Sequence, residues 1–499
     1  MCEYFFSFYS LYNGDFMKDK SIWSDSCIEC HYPKLEKNIE CDILIIGGGI
    51  TGISCGYFLK ELNESVVLVE ANQICTGTTS KSTGKLTYLQ DDISNKIRKN
   101  YNIKTAKLYI ESQKDAIELV KKIVLDNNLS CDFEPSTSYL FSKYDSKKLK
   151  QNYNLYKENS TVKFLKRKLP YEEQIYNVIE ANDAFVFNPT KFCVNLSKII
   201  SKKVKIYENT RIIGINFEND FFIAKTIRFL IKCKKIILAC HYPFFIYPYA
   251  LPFKTSIEKS FLCAGETNTT KPISMINTDD NVISLRYYKN NTNYVIFLTN
   301  NNTLHKNIND FKFRDDCIWK VQTKLTPNIK YCWSNTDIMT YDYLPLIGKI
   351  KNNLYIATGY NTWGLTSGIL SGKIIYDIIS NNENKYIDLF NPNRKMVSFS
   401  NLLNFNLKNA FSFLETKINK QKNFYKTNVK IIKEKGIYYG IYIDENNVEH
   451  KVLNRCPHMK CNLYFNYQTK TWDCPCHASS FDIDGNIIYG PAAKNIKTI

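Results

Sequence analysis

Cys41-Asp42-Ile43-Leu44-Ile45-Ile46-Gly47-Gly48-Gly49-Ile50-Thr51-Gly52 is the stretch on which the fold turns. The apolar run Asp42–Ile46 predicts a buried strand, the apolar spacing of Ile50–Leu62 predicts a helix, and Ser65–Val69 is a second β-branched run. Together they form a βαβ unit. Between strand and helix the glycines stand in the G-x-G-x-x-G order that a dinucleotide requires. Gly47 permits the tight turn, Gly49 lets the backbone approach a pyrophosphate, and Gly52 lets helix and strand pack closely. The helix start at Ile50-Thr51 then offers unpaired N–H groups to the phosphates. Glu70 closes the second strand, where an acid hydrogen-bonds the ribose hydroxyls. This fingerprint by itself does not separate FAD from NAD.

Downstream, Lys104–Asn127 predicts a long helix, and the region to about Tyr176 is charged and mixed. Strand-like runs return at Val204–Tyr207, Ile212–Phe217 and Lys234–Ala239. Alternating strands and Asn-rich turns between Lys254 and Asn302 suggest an antiparallel sheet facing a site. One more strand, Asn353–Thr358, and one more helix, Leu365–Ile379, follow. Residues 1–40 read as an extended lead-in without an element of its own. Cys27-Ile28-Glu29-Cys30-His31 within it matches the C-x-x-C-H spacing of haem attachment. That chemistry needs export, which nothing in the sequence supports, so chance or structural use is the reading taken. The stretch from Ser380 to Phe424 shows no periodicity and is expected to be a loosely packed linker, and about 425–499 reads as a small all-β module.

That module carries Cys456-Pro457-His458 and, 15 residues on, Cys474-Pro475-Cys476-His477. Only six His occur in the chain, and two fall in this C-x-H, C-x-x-H pattern. The pattern resembles the Rieske motif, in which two thiolates hold one iron of a [2Fe–2S] cluster and two imidazoles the other, raising its potential. A structural zinc in a Cys₂His₂ site uses the same ligand types and remains the alternative. Ser479, Phe481, Asp482, Gly485, Gly490, Pro491 and Ala492 look like the strands that follow the Rieske motif.

Taken with these motifs, the chain resembles the D-amino-acid-oxidase-like FAD-dependent oxidoreductases, and in particular a subgroup with a C-terminal Rieske domain. Thr76–Thr87, with Thr78, Thr79 and Lys85, looks like the loop running from pyrophosphate to flavin ring. Lys235–His241, with Ala239, is similar to the strand and turn beside the FAD. Tyr341–Gly348 followed by Ala357–Thr366 resembles the closing FAD-contact motif, with Gly348, Gly359, Trp363, Gly364, Leu365 and Thr366 as its contacts. Trp363 could equally be core packing. Glycine-backed amides at a helix start suit negative charge on a reduced flavin.

The resemblance implies an α/β fold: a Rossmann-like FAD-binding domain with an antiparallel-sheet substrate domain, plus a C-terminal all-β Rieske domain. The expected spans are an extension over 1–40, the oxidoreductase over 41–380, a linker over 381–424 and the Rieske domain over 425–499. FAD-binding parts are expected at about 41–90, 185–245 and 335–380, and substrate-binding parts at about 91–184 and 246–334. Cys456, His458, Cys474 and His477 are the implied cluster ligands. Cys461 and Cys476 fall where the Rieske proteins of cytochrome bc-type complexes carry a disulfide, and Lys460 replaces a glycine common in that loop.

The substrate side is less legible. Arg286 could hold a carboxylate bidentately or be a salt-bridged structural residue, and Lys85 could move a proton near the flavin. Asn300-Asn301-Asn302 stands where the family tends to have glycines, with the same turn expected because Asn tolerates left-handed backbone. The net charge of +18 rests on Lys spread along the chain, with only eight Arg, which argues against nucleic acid. Seventeen Cys without regular spacing do not resemble a secreted framework, and neither a signal peptide nor a membrane span is apparent. A cytoplasmic enzyme is expected, passing electrons between a small organic substrate, an amine or amino acid, and the cluster, with an external electron donor or acceptor. An electron relay without its own substrate and an oxygen-using oxidase are the alternatives.

Overall fold

The computed structural model describes residues 18, 20–26 and 30–498, apart from 145, 159, 171–173, 243–250, 269–271, 281, 304–309, 327, 396–401, 403–405, 408–427 and 468. The chain builds two large sheets and two small ones.

The first large sheet runs in the order Leu346–Lys351, Leu354–Thr358, Leu230–Leu238, Ile39–Ile46, Val66–Val69, Lys205–Tyr207. Ile39–Ile46 is paired in parallel on both sides, and Ile43, Leu44 and Ile45 have no exposed surface. A parallel strand covered on both faces needs the continuous apolar run that the sequence supplies. Helices Ile50–Leu59, Ile103–Asp126, Pro189–Ile200 and Gly364–Ile379 cover one face, and the Gly214–Lys225 hairpin packs on the other. From Ile39–Ile46 the chain first steps outward to Val66–Val69 and Lys205–Tyr207, then returns as Leu230–Leu238 on the opposite side. That reversal opens a crevice at the carboxyl ends of the two central strands, where ligands of such sheets bind.

The second sheet has nine strands, in the main path Ile329–Thr340, Thr255–Glu266, Thr292–Thr303, Ile283–Asn290, Ile273–Asn277, Glu134–Phe141, Ile175–Val186, Lys85–Leu86. It is mixed rather than wholly antiparallel, because Ile273–Asn277 pairs in parallel with Glu134–Phe141. Asn300–Asn302 form no turn: they lie within the strand Thr292–Thr303, where Asn302 pairs with Lys259 beside a β-bulge. The bulge absorbs the irregularity that the Asn run suggested.

Other expectations shift by smaller amounts. The first helix stops at Leu59, and the charged region before Tyr176 holds the strand Glu134–Phe141, the helix Ser146–Tyr156 and the strand Lys163–Lys168. The lead-in is not bare. Ile22–Ser26 forms a 3-10 turn whose Trp23 is fully buried and donates to the Ser82 carbonyl at 2.7 Å. Cys27, Ile28 and Glu29 of the haem-like spacing lie outside the described residues. The first part of the expected linker packs firmly: Phe390 is fully buried, and Arg394 pairs with the buried Asp342 at 2.7 Å. Most of its remainder lies outside the described residues.

The C-terminal region forms a three-stranded sheet, Val429–Glu434, Ile437–Ile443 and Glu449–Leu453, and a four-stranded one, Tyr464–Asn466, Thr471–Asp473, Ser480–Phe481 and Ile487–Tyr489. Fully buried Trp472 packs edge-on to Phe465, with ring centroids 4.9 Å apart.

Candidate functional site

The glycine turn sits in the crevice. Gly47 has φ +114° and donates to Val69 O at 2.8 Å, and a Cβ there would lie 2.7 Å from Ala239 O. Ala239 in turn donates to Ile46 O at 2.9 Å, so the ends of both central strands meet at this point. Gly52 supports the turn from behind, since a Cβ on it would stand 1.8 Å from Gly47 O. Thr79 Oγ1 accepts from the Ile50 amide at 3.0 Å, bringing the Thr76–Thr87 loop over the helix start. Thr51 Oγ1 meets Tyr360 OH at 3.0 Å. Glu70 accepts from Gly48 N at 2.7 Å and Asn72 N at 2.9 Å, and burial raises its carboxyl above the usual range.

A cavity of about 420 Å³ fills the crevice. Of the residues singled out in the sequence, Gly47, Gly49, Ile50, Thr51, Glu70, Thr78, Thr79, Lys85, Ala239, Gly359, Trp363, Gly364, Leu365 and Thr366 line it. Gly52 does not, because its part is packing. Gly348 does not either: it lies inside the strand Leu346–Lys351, takes φ +137° and faces Pro392 and Ile378, away from the cavity. Before the helix Gly364–Ile379, Gly359, Asn361 and Thr362 all have positive φ, at 73°, 51° and 74°. Such backbone is costly for a β-branched threonine and persists where surrounding contacts fix it. Asn361 is held by accepting from the Thr340 amide at 2.7 Å.

Arg286 corrects an expectation. Its NH1 donates to the carbonyls of Thr83, Gly84 and Phe187 at 3.0, 2.7 and 2.8 Å, and its guanidinium lies 5.2 Å from the Trp23 ring and 5.3 Å from the Tyr288 ring. With one guanidinium nitrogen shared among three backbone oxygens, no carboxylate at ion-pair distance among the described residues and no place in the cavity lining, Arg286 serves neither as a carboxylate clamp there nor as half of a salt bridge. Gly84, at φ +73°, is required here, because a Cβ would stand 2.0 Å from that NH1.

Lys85 does point into the cavity wall. Its Nζ donates to Ser284 Oγ at 2.5 Å and lies 5.6 Å from the Trp363 ring. Burial, and secondly the charge of Arg286, push its ammonium from 10.5 down to about 7. Between those values the unfolded chain keeps the proton that the folded protein has released, so stability rises with pH, and the penalty is full below about 7. Lys85→Met is therefore expected to stabilise the protein by about 2 kcal/mol at pH 6, with the gain shrinking towards pH 10. Denaturant titrations at both pH values check this. An equal gain at the two would mean that burial does not neutralise the lysine.

Sequence reasoning missed several lining residues. Asp91 has φ +37° and a carboxyl raised by burial, and Asp337 is pushed up to about 7 by burial and the nearby Glu258. Asn72, Arg211, Tyr242 and Tyr489 also line the cavity, and none carries a local pattern that would have marked it; His477, already marked by its C-x-x-H spacing as a cluster ligand, lines it too.

At the iron–sulfur motif, two similar loops face each other. Lys460 N donates to Cys456 O at 3.0 Å in one, and Ala478 N to Cys474 O at 3.0 Å in the other. Lys460 and Ala478 both take positive φ, 61° and 56°, so Lys460 keeps the backbone that a glycine would supply. Cys461 and Cys476 are joined as a disulfide that ties the loops. Their sulfurs lie within 4.8 Å of Cys474 Sγ but are engaged with each other, which leaves Cys456, Cys474, His458 and His477 as donors. The thiols of Cys456 and Cys474 are buried together, and the hydrogen bond from Cys474 holds that of Cys456 down at about 7. The His458 and His477 rings are 5.0 Å apart, and neither of the two buried ring nitrogens of half-buried His458 has a hydrogen-bond partner among the described residues. Buried imidazole nitrogens left without partners are rare in native proteins unless they bind something. Two thiolates and two imidazoles converging in this way fit a Rieske cluster.

The histidine side of this site abuts the crevice. The Tyr242 ring lies 5.1 Å from that of His477 and 6.4 Å from that of His458, and Tyr242 and His477 both line the cavity that holds the glycine turn.

The fold and the two sites define a flavin-dependent redox enzyme fused to an iron–sulfur module. Residues 42–378 match the family described as FAD dependent oxidoreductase (DAO) and residues 415–499 the Rieske [2Fe-2S] domain, so the chain belongs to the FAD-dependent oxidoreductase family and carries a C-terminal Rieske domain. A protein of Bacillus subtilis (strain 168) named for a Rieske 2Fe-2S iron-sulfur centre, YhfW, is 28% identical across 98% of this chain and 99% of its own length. Gamma-glutamylputrescine oxidoreductase of Escherichia coli (strain K12) is 21% identical, across 71% of this chain and 87% of its own. The crystal structure of glycine oxidase from Geobacillus kaustophilus shares the fold, with a TM-score of 0.58 at 13% identity, over 71% of this chain and 99% of that one. The enzyme's cofactors are FAD and a [2Fe–2S] cluster. Among the described residues, no helix is long and apolar enough to cross a membrane.

Proposed function

We propose that the enzyme oxidises a small cationic amine and delivers the electrons, one at a time, through its own Rieske cluster to an external acceptor. When bound, FAD supplies two-electron hydride chemistry and the cluster one-electron transfer, a pairing that converts one into the other. The observation that carries this reading is the shared cavity: Gly47, Thr79 and Gly364 line it together with His477, and Tyr242 bridges to the histidine pair.

An amine is favoured over an amino acid because Arg286 is committed to three carbonyls while Asp91 and Asp337 line the cavity. Their raised carboxyls would ionise against an incoming ammonium and hold it by charge and hydrogen bond. The similarity to an enzyme named for gamma-glutamylputrescine agrees with an amine. The amides around Asn361–Gly364, at a helix start, would stabilise negative charge developing on the cofactor. Lys85, its ammonium pushed down to about 7 and so partly neutral at that pH, would accept a proton at Nζ.

The test is anaerobic titration of the as-purified protein with a panel of small amines and amino acids, followed by absorbance and EPR. Flavin bleaching by an amine together with the rhombic signal of a reduced Rieske cluster supports the proposal. Flavin bleached to completion with the cluster still oxidised overturns the electron route, and bleaching by amino acids alone overturns the substrate class.

A further inference from the structure

The C-terminal end of the Rieske module reaches the other cofactor's site. Tyr489 OH meets Thr78 Oγ1 at 3.2 Å across 411 residues of sequence. The Tyr489 ring lies against Gly77, 3.7 Å from where a Cβ would stand there, and Lys81 Nζ sits 5.7 Å from the ring centroid. The neighbouring Ile488 carbonyl accepts from Asn72 Nδ2 at 2.9 Å and Arg211 NH2 at 3.4 Å. Asn72, Gly77, Thr78, Lys81 and Arg211 all line the cavity, and so do Ile488 and Tyr489.

We infer that the FAD site is composite: Tyr489 of the Rieske module is a cofactor-binding residue that closes the cavity over the segment holding the diphosphate and adenosine ribose. Three features of the wall around Tyr489 suit an anionic diphosphate. The first is the start of the helix Ile50–Leu59, where Thr79 takes the Ile50 amide and the N-cap Gly49 has no side chain to cap the amides that follow. The second is Lys81, which lines the cavity and has no carboxylate at ion-pair distance among the described residues. The third is Arg211, a guanidinium on the same wall near Glu70. Tyr489 adds a phenol and a flat apolar face above these charges, excluding water from them and strengthening their field.

The closing segment is held rigidly by the second cluster loop. Ala492 N donates to Ser479 Oγ at 3.1 Å, and a Cβ on Gly490 would stand 2.5 Å from Ser479 Cα. The loop carrying two of the proposed cluster ligands therefore also sets the position of the flavin-site wall.

The experiment uses the full chain with its cluster loaded. Flavin is removed and FAD is titrated back in the oxidised, substrate-free state, with binding read by quenching of flavin fluorescence. Iron content and the EPR signal of the reduced cluster show that the module is folded. Tyr489→Ala is expected to weaken FAD about tenfold, and Tyr489→Phe, which keeps the ring, by about threefold or less. FAD affinity within about twofold of the parent in Tyr489→Ala, with the cluster signal unchanged, overturns the inference. If the alanine variant loads no cluster, Tyr489→Leu is judged by the same criterion. No electron moves in this assay, so its result stands apart from that of the amine titration.

Discussion

His458→Ala is expected to abolish the rhombic EPR signal of the reduced cluster and to lower iron to under about a tenth of the parent's content, because ligand loss removes most of the metal's binding free energy. Its two ring nitrogens are buried and lack partners among the described residues, and burial already pushes its imidazole down to about 4, so the side chain is held neutral, as a ligand must be. The disulfide between Cys461 and Cys476 would still tie the two loops, so the loss should come from ligation rather than from collapse of the module. Flavin that remains bound should still be bleached by substrate, with no one-electron outlet. A persistent rhombic signal in this variant would remove His458 from the ligand set. Zinc in place of iron in the parent would mean that Cys456, Cys474, His458 and His477 hold a structural ion.

The second large effect is expected at the glycine turn. In Gly52→Ala the new methyl would stand 1.8 Å from the Gly47 carbonyl oxygen, a backbone atom that cannot swing aside. Helix Ile50–Leu59 must then lift from the strand Ile39–Ile46, which displaces the Ile50 amide from Thr79 and opens the place where the two central strands meet. The cost should reach about 3 kcal/mol or more, and the purified protein should be largely free of flavin. Gly214→Ala is the control: a Cβ there meets nothing within 4 Å, and its effect should stay within about 0.5 kcal/mol. Unfolding midpoints and the flavin-to-protein absorbance ratio report both. Flavin at parental occupancy in Gly52→Ala would show that close packing at this residue is not what holds the site.

Both predictions rest on residues that stand out in the amino-acid sequence alone, and the reason is local. A dinucleotide turn and a two-loop metal site each place their chemistry at fixed short spacings, so Gly47, Gly49 and Gly52 and the Cys456–His458 and Cys474–His477 pairs are marked by interval. A continuous apolar run likewise marked Asp42–Ile46, and short strands between turn signals marked the β-rich C-terminal module. Elements too short for a period, such as Ile22–Ser26, left no such trace.

What a side chain does in tertiary contact was not legible in this way. Arg286 looked the same in sequence whether it met a substrate carboxylate or three carbonyls, and only the approach of Thr83, Gly84 and Phe187 decided for the carbonyls. Lys85 owes its depressed ammonium to burial beside Ser284, 199 residues away. Asn300–Asn302 read as a turn by composition and became strand because Thr255–Glu266 offered it a pairing edge. The meeting of the two cofactor sites through Tyr242, His477 and Tyr489 joins segments hundreds of residues apart. By itself the sequence determined that this chain has a dinucleotide-binding turn and a two-loop Cys/His metal site, since each is written in short-range spacing, and the flavin and the iron–sulfur cluster were implied by the family resemblance that those motifs carry. Only the tertiary structure decided that they share one cavity, because packing between distant surfaces depends on shape and leaves no period in the chain.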